Sequence, residues 1–137
     1  MTLYLDTSSL VKLYIDEPDA DDIRDLVERA AVVATSVVAY PEARATFARR
    51  RRERLMTPAE SAAALRQLDA DWLRLLSIPV SEEVARAAGR LADEHGIRGC
   101  DAVHLASFED LIARSDDEDV QFSCADERLV KAARTLG

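Results

Sequence analysis

The chain has 137 residues, of which 48% are apolar and 32% are charged, and this length and balance predict one globular domain over residues 1–137. It has two cysteines without a C-x-x-C pair, and its N-terminal residues form neither a signal peptide nor a membrane-spanning run, so we expect a cytoplasmic protein without membrane association. The net charge of −8 argues against a general nucleic-acid-binding module, because this field repels a polyanion unless basic groups cluster or a cation is bound.

Short apolar runs alternate with helical patterns along the first half of the chain. Leu3-Tyr4-Leu5 predicts a buried strand that stops at Asp6, where a helix begins. Apolar residues at helical spacing predict the next helix, and a β-branched run predicts a second buried strand. In chain order, the predicted elements are a strand at 3–5, a short helix at 10–14, a helix at 19–30, a strand at 31–36 and a helix at 38–55.

A capping box opens the second half. In Thr57-Pro58-Ala59-Glu60, Thr57 can cap the helix, Pro58 suits its first position and Glu60 can bond back to the cap. Gly96 predicts the end of a later helix, and the acidic run 116–119 predicts a solvated loop. The remaining predicted elements are a helix at 58–75, an extended segment at 77–80, a helix at 82–94, a helix that begins at 99, a strand at 120–124 and a helix at 127–136.

Strands that alternate with helices predict an α/β fold in which a central parallel sheet is flanked by helices on both faces. In such sheets, ligands bind beyond the carboxyl ends of the strands. Asp6 follows the first predicted strand, and Asp126 follows the last. Either aspartate could instead simply cap the helix that it precedes, because a carboxylate accepts hydrogen bonds from the free amides of a first turn.

Two further acids are candidates for the same edge of the sheet. Asp101 shares a helix face with Leu105 and is costly to bury unless it binds a metal or pairs with Arg98 or Lys12. Glu42 lies in the helix after the second strand, where a lone acid is usually a surface residue. Several carboxylates that meet at one edge repel one another without a counter-ion, and their hard oxygens suit Mg²⁺ or Mn²⁺. The chain has only two histidines, and its two cysteines lack the spacing of zinc ligands, so the sequence argues against a zinc site.

Three segments resemble the motifs of PIN-domain nucleases, particularly the VapC-type toxins of bacterial toxin–antitoxin systems. Residues 6–14 (DTSSLVKLY) resemble the first motif, residues 98–106 (RGCDAVHLA) the third and residues 125–129 (ADERL) the fourth. Glu42 falls where the family has its conserved acid. The resemblance covers nearly the whole chain and implies a PIN-like three-layer sandwich.

The resemblance implies a toxin that is an endoribonuclease dependent on Mg²⁺ or Mn²⁺. In this chemistry, a water activated by the cation hydrolyses the RNA phosphodiester and leaves a 5′-phosphate and a 3′-hydroxyl. The resemblance further implies a homodimer that a cognate VapB-like antitoxin holds inactive.

The same resemblance assigns roles to the acids. Asp6 and Asp101 are expected to be the principal metal ligands. Asp126 is expected to complete the coordination or to hold a water, and Glu42 to act through water. Ser8 matches a small hydroxyl residue near the first acid of many relatives and is expected to orient Asp6.

Cys124 departs from the family pattern, in which Thr or Ser often stands two residues before the fourth acid. A thiol is a weak hydrogen-bond donor, so we expect weaker support of Asp126 here. Ser123 is expected to face the other side of its strand. His104 is expected to pack beside Asp101 without a catalytic role.

The arginine run 49–52 is the densest basic cluster of an acidic chain. Arg49, Arg50 and Arg52 could contact the RNA backbone. A solvated helix end, where cations interact favourably with the helix dipole, explains the run equally well, and contact with an acidic antitoxin segment is a third option.

Two other functions fit parts of the sequence. The first is a catalytically inactive PIN fold that only binds RNA or protein, and the full set of four acids disfavours it. The second is a metal-dependent phosphatase or a receiver-like signalling domain, which also places acids at strand ends. An aspartyl-nucleophile phosphatase needs a second Asp where Ser8 stands, so the sequence weakens that option.

Overall fold

Four parallel strands form one sheet within residues 1–136, the part of the chain that the structure describes. The structure is a computed structural model, and Gly137, which the domain prediction includes, lies outside the described residues. The sheet has the order β3-β2-β1-β4, with β1 at Thr2–Leu5, β2 at Val32–Ser36, β3 at Leu76–Ile78 and β4 at Val120–Ser123. The helices are α1 (Thr7–Val11), α2 (Ala20–Arg29), α3 (Ala39–Arg52), α4 (Pro58–Trp72), α5 (Glu82–His95), α6 (Gly99–Arg114) and α7 (Glu127–Ala133).

The inner strand β1 divides the core into two halves. It pairs with β2 on one side and with β4 on the other. Because side chains alternate along a strand, Tyr4 enters the core beneath α5, α6 and α7, whereas Leu3 and Leu5 enter the core beneath α1 to α4. The predicted three-layer α/β sandwich with a central parallel sheet is therefore confirmed.

Local signals fix several helix ends. Thr57 Oγ1 accepts a hydrogen bond from the Glu60 amide at 3.1 Å, and Glu60 Oε1 accepts one from the Thr57 amide at 2.9 Å, so the predicted capping box is present. Gly96 ends α5 with a φ of 63°, a left-handed conformation that suits glycine. Helix α3 stops at Arg52, before its predicted end at residue 55, and the chain then turns through Arg54, whose φ is 61°.

The carboxyl ends of the parallel strands lie at one edge of the sheet. The Asp6 amide, directly after β1, donates to the Ser123 carbonyl at the end of β4 over 3.1 Å. On the other side, Thr35 Oγ1 of β2 donates to the Leu5 carbonyl over 2.7 Å. These bonds hold the start of α1 between the ends of the neighbouring strands, at the edge where the sequence predicts a site.

Candidate active site

A polar cleft of about 540 Å³ opens at this edge of the sheet, with walls from α1, α3 and α6. Its wall has side chains of both charge signs, so an anion and a cation can each find a partner within it. The charged residues that line it are the acids Asp6, Glu17, Glu42 and Asp101 and the bases Lys12, Arg49, Arg50 and Arg98.

Asp6 is a buried carboxylate at the floor of the cleft, only 5% exposed. Its Oδ1 accepts hydrogen bonds from the Ser9 amide at 3.0 Å and from Ser8 Oγ at 2.7 Å. Asp6 is therefore the N-cap of α1, the simpler of the two roles that its position in the sequence allowed. Ser8 contacts the carboxylate that the family resemblance assigns it to orient.

Cys124 supports Asp6, a contact that the sequence analysis missed. Its thiol donates to Asp6 Oδ2 over 2.7 Å, and the Asp126 amide lies 3.3 Å from the sulfur. Burial, together with the negative charge of Asp6, raises the pKa of the Cys124 thiol to about 12, so the sulfur keeps the proton that it donates. Ser123 Oγ lies 2.8 Å from Ser9 Oγ.

Glu42 enters the cleft from the first turn of α3. Its Oε1 accepts a hydrogen bond from Thr7 Oγ1 at 2.6 Å and lies 2.9 Å from His104 Nε2. Burial acts to raise the pKa of Glu42, but the hydrogen bonds from His104 and Thr7 outweigh it and hold that pKa below its ordinary value. The carboxylate is therefore ionised at neutral pH.

His104 is the second residue whose position the sequence analysis missed. We expected it to pack beside Asp101, yet its ring is buried between Glu42 and Tyr4. The sequence indicated only that a histidine lies within the third motif. Its partners are 62 and 100 residues away in the chain, so the contacts arise only when the fold brings α6 beside Tyr4 and Glu42.

Asp101 lies in the first turn of α6 and faces the cleft rather than the core, with 21% of its side chain exposed. Its Oδ2 pairs with Arg98 Nε at 3.3 Å, one of the two partners that the sequence suggested. The other suggested partner, Lys12, forms an ion pair with Asp19 instead. An acid at the N-terminus of a helix also benefits from the helix dipole.

Asp126 lies at the rim and does not line the cleft, where its neighbour Ala125 takes that place. It caps α7: Oδ1 accepts from the Arg128 amide at 2.9 Å, and Oδ2 lies 3.5 Å from the Arg128 guanidinium. These contacts, the backbone hydrogen bond above all, hold the pKa of Asp126 below its ordinary value. The structure thus brings Asp6, Glu42 and Asp101 to one cleft and leaves Asp126 outside it.

The donor chemistry of the cleft fits a hard divalent cation. Within residues 1–136, the hydrogen bonds to Glu42 and Asp101 fall on Oε1 and Oδ2, so Oε2 and Oδ1 keep free lone pairs. Over the same residues, no three Asp, Glu, His or Cys side chains lie at the mutual distances of a ready-made metal centre. Mg²⁺ commonly retains several waters and uses only one or two carboxylates, so a set of separate acids on one wall is compatible with it.

The arginine cluster divides between the cleft and the solvent. Arg49 and Arg50 line the cleft, and Arg50 Nη1 lies 3.5 Å from Glu17 Oε1. Arg52, the third arginine named as a possible RNA contact, is exposed and lies outside the cleft wall.

Among residues 1–136, no helix has the length and apolar character needed to cross a bilayer.

Comparison with known proteins places these features in context. The family model of the PIN domain matches residues 3–134. Two Mycobacterium tuberculosis proteins, Ribonuclease VapC45 and Ribonuclease VapC49, are each 36% identical to the chain over 105 residues, which cover 77% of this chain and 73% of the relative. The crystal structure of FitAcB from Neisseria gonorrhoeae matches with a TM-score of 0.68 and 19% identity over 96% of this chain and 93% of that chain, a likeness of fold.

Proposed function

The chain belongs to the PIN-domain family, and from that membership we propose that it is a ribonuclease that acts as the toxin of a toxin–antitoxin system. Support comes from the two relatives named ribonuclease VapC, and from the position in one cleft of three of the four acids that the motif resemblance singled out. The observation that carries the proposal is that Asp6, Glu42 and Asp101, far apart in sequence, line one polar cleft together with four basic side chains.

We further propose that this cleft holds Mg²⁺ or Mn²⁺. Asp6 and Asp101 would be the principal ligands, Glu42 would contribute Oε2 directly or through a water, and Asp126 would act from the rim through a water. When bound, such a cation activates water for attack on phosphorus and neutralises charge that develops on the phosphoryl oxygens.

The chain's own residues prepare the acids for this role. The Ser9 amide, Ser8 and Cys124 occupy defined positions around Asp6, so its carboxylate cannot rotate freely. Thr7 does the same for Glu42. Such outer contacts orient ligands and support the affinity for a metal.

The basic side chains give an acidic protein a local place for RNA. Arg49, Arg50 and Arg98 line the cleft that contains the acids, so a phosphodiester drawn to them arrives beside the proposed cation. Each phosphate contact of this kind adds binding energy that weakens with salt. The net charge of −8 acts against RNA elsewhere on the surface, so we expect binding to be confined to this cleft.

Cleavage of RNA by the purified chain tests the proposal. The protein is first stripped with a chelator, and Mg²⁺ or Mn²⁺ is then restored. We expect no cleavage without the cation, cleavage with it, and products with a 5′-phosphate and a 3′-hydroxyl. Cleavage that continues unchanged in the chelator would refute the metal-dependent mechanism, and RNA binding without cleavage under any condition would favour the inactive binding module.

A matched pair of variants on α6 assigns the effect to the cleft. Asp101→Asn removes one proposed ligand, whereas Asp110→Asn removes an acid of the same helix that pairs with Arg114 outside the cleft. We expect Asp101→Asn to lose cleavage and Asp110→Asn to retain it. Equal cleavage by both variants would remove Asp101 from the site.

We also propose that the protein acts in the cytoplasm, forms a homodimer and is held inactive by a VapB-like antitoxin. Family membership and the two free cysteines, which suit a reducing compartment, support these assignments. Expression of the native operon should yield a complex with a small partner, and the mass of the purified chain in solution should equal two copies. A chain that purifies alone and monomeric would contradict both partner assignments.

A further inference from the structure

We propose that His104, held by Tyr4, is a positioning residue that fixes Glu42 in the cleft and thereby raises the affinity of the site for its divalent cation. This inference rests on the proposed function, because it assumes that Glu42 serves a cation. It gives Tyr4 of β1 and His104 of α6 a role in the proposed cation site.

The geometry is a continuous chain of hydrogen bonds from the core to the cleft. Tyr4 Oη lies 2.8 Å from His104 Nδ1, and His104 Nε2 lies 2.9 Å from Glu42 Oε1. Tyr4 is itself fixed, because its ring stacks on Phe122 at 5.5 Å and meets the His104 ring edge-on at 5.9 Å. His104 is only 2% exposed, so its ring has little freedom to turn away.

The direction of each hydrogen bond follows from the chemistry of the groups. A tyrosine hydroxyl is protonated at neutral pH, so Tyr4 Oη can donate its proton to His104 Nδ1, 2.8 Å away. A neutral His104 then has its proton on Nε2 and donates it to Glu42. The other tautomer would set a nitrogen lone pair against a carboxylate oxygen 2.9 Å away, which is repulsive. A charged ring also donates from Nε2, so His104 is the donor and Glu42 the acceptor in both charge states of the ring.

The consequence for Glu42 is preorganisation. A glutamate has several rotatable bonds, and a free side chain loses that freedom when it binds an ion. Here Thr7 and His104 both occupy Oε1, so the side chain is held before any ion arrives and Oε2 stays available. Groups that orient a ligand in this way typically contribute about 10-fold to 100-fold in metal affinity.

A purely structural role of His104 would have different consequences. The buried ring packs edge-on against Tyr4, so any disruptive change there lowers stability. Stability and cation affinity must therefore be measured separately. Phe108→Leu is the matched control, because Phe108 packs on Tyr4 from the same helix without a contact to Glu42.

Calorimetric titration with Mn²⁺ alone, on the full chain, tests the proposal. We expect His104→Leu to bind Mn²⁺ about 10-fold to 100-fold more weakly than the wild type. Tyr4→Phe should show a smaller loss, because it removes only the hydroxyl that orients the ring. His104→Gln, which retains an N–H donor at a similar distance, should bind more tightly than His104→Leu, and Phe108→Leu should lower the unfolding midpoint without changing the Mn²⁺ affinity.

The effect should also depend on Glu42. In a Glu42→Gln background, His104→Leu should cause no further loss of Mn²⁺ affinity, since it acts through the carboxylate. If the wild type binds Mn²⁺ and both His104→Leu and Tyr4→Phe bind it equally well, the inference is wrong while the proposed function stands. If the wild type binds no Mn²⁺, the proposed cation site itself fails. Should His104→Leu not fold, Tyr4→Phe and His104→Gln decide by the same comparison with the wild type.

Discussion

The carboxyl ends of β1 and β4 share one local feature, a helix-capping aspartate, but place it in two different environments. After each strand an aspartate caps a helix: Asp6, directly after β1, caps α1, and Asp126, three residues after the end of β4, caps α7. The inner strand β1 has a neighbour on both sides, so Asp6 is buried among Ser8, Ser9 and Cys124. The edge strand β4 has a neighbour on one side, and 41% of the Asp126 side chain remains exposed.

The comparison shows that position in the sheet, rather than local sequence, separates the two aspartates. A buried carboxylate with several fixed donors is held in one place before it meets a ligand. An exposed carboxylate, paired with an exposed surface arginine, is more weakly oriented, because such surface pairs contribute little. We therefore expect Asp6, the inner acid, to contribute most to RNA cleavage and Asp126, the rim acid, to contribute less.

Replacing Asp6 should have the largest effect. Loss of charge stabilisation worth about 4 kcal/mol should lower RNA cleavage about 1000-fold in both Asp6→Asn and Asp6→Ala. Asn caps a helix as well as Asp does, so Asp6→Asn should retain the wild-type unfolding free energy, whereas Asp6→Ala should lose about 1 kcal/mol. Rates of RNA cleavage and denaturant unfolding curves measure the two quantities. Wild-type cleavage by Asp6→Asn would show that Asp6 is only a cap.

Asp126→Asn should lower RNA cleavage far less, about 10-fold, because the side chain acts from the rim. The cap of α7 is retained in this variant, so a change in the cleavage rate reports on charge alone. Parallel single-turnover assays of Asp126→Asn and Asp6→Asn provide the measurement. A loss as large as that of Asp6→Asn would erase the distinction between the inner and rim acids.

The arginines extend the comparison from acids to bases. Arg49 lines the cleft and Arg52 does not, although both belong to α3. In chelator, where RNA should stay intact, Arg49→Ala should lower the slope of log affinity against log salt by about 0.7, the contribution of one phosphate contact. Fluorescence anisotropy at several salt concentrations measures the slope. Arg52→Ala serves as the control, and an equal change in both variants would assign the effect to net charge.

The smallest expected effect is a difference in how the unfolding free energies of two variants, Glu42→Gln and Asp126→Asn, depend on pH. The pKa of Glu42 in the fold lies below its ordinary value of 4.5, so its contribution to stability is complete above that pH and declines as pH falls through the folded-state pKa. In metal-free buffer, the difference in unfolding free energy between wild type and Glu42→Gln should therefore shrink from about pH 6 to about pH 3. Asp126→Asn should show less of this trend, because the pKa of Asp126 is lowered at an exposed position. A constant difference for Glu42→Gln would contradict the assigned hydrogen bonds.

The parts of the fold that the sequence could predict are those set by neighbouring residues. Short apolar runs between helical patterns predicted the strands. The Thr57–Glu60 capping box predicted the start of one helix, and Gly96 predicted the end of another. The end of α3 was placed too late, since nothing in an arginine-rich helical pattern indicates the left-handed turn at Arg54. Local propensity carries no information about a turn that the rest of the fold imposes.

The site could be predicted less fully, because its contacts join distant parts of the chain. Motif positions led to Asp6, Glu42 and Asp101, which the structure brings to one cleft. The sequence gives no sign that the Cys124 thiol meets Asp6 across 118 positions. It likewise does not indicate that β4 is an edge strand, which is why Asp126 lies at the rim.

The most direct test of the cation site is a crystal of the chain grown with Mn²⁺ and measured at the manganese absorption edge. We predict an anomalous peak in the cleft with oxygen atoms of Asp6 and Asp101 as its nearest protein ligands. A well-ordered cleft without such a peak, or a manganese ion bound only at Asp126 or elsewhere on the surface, would contradict it.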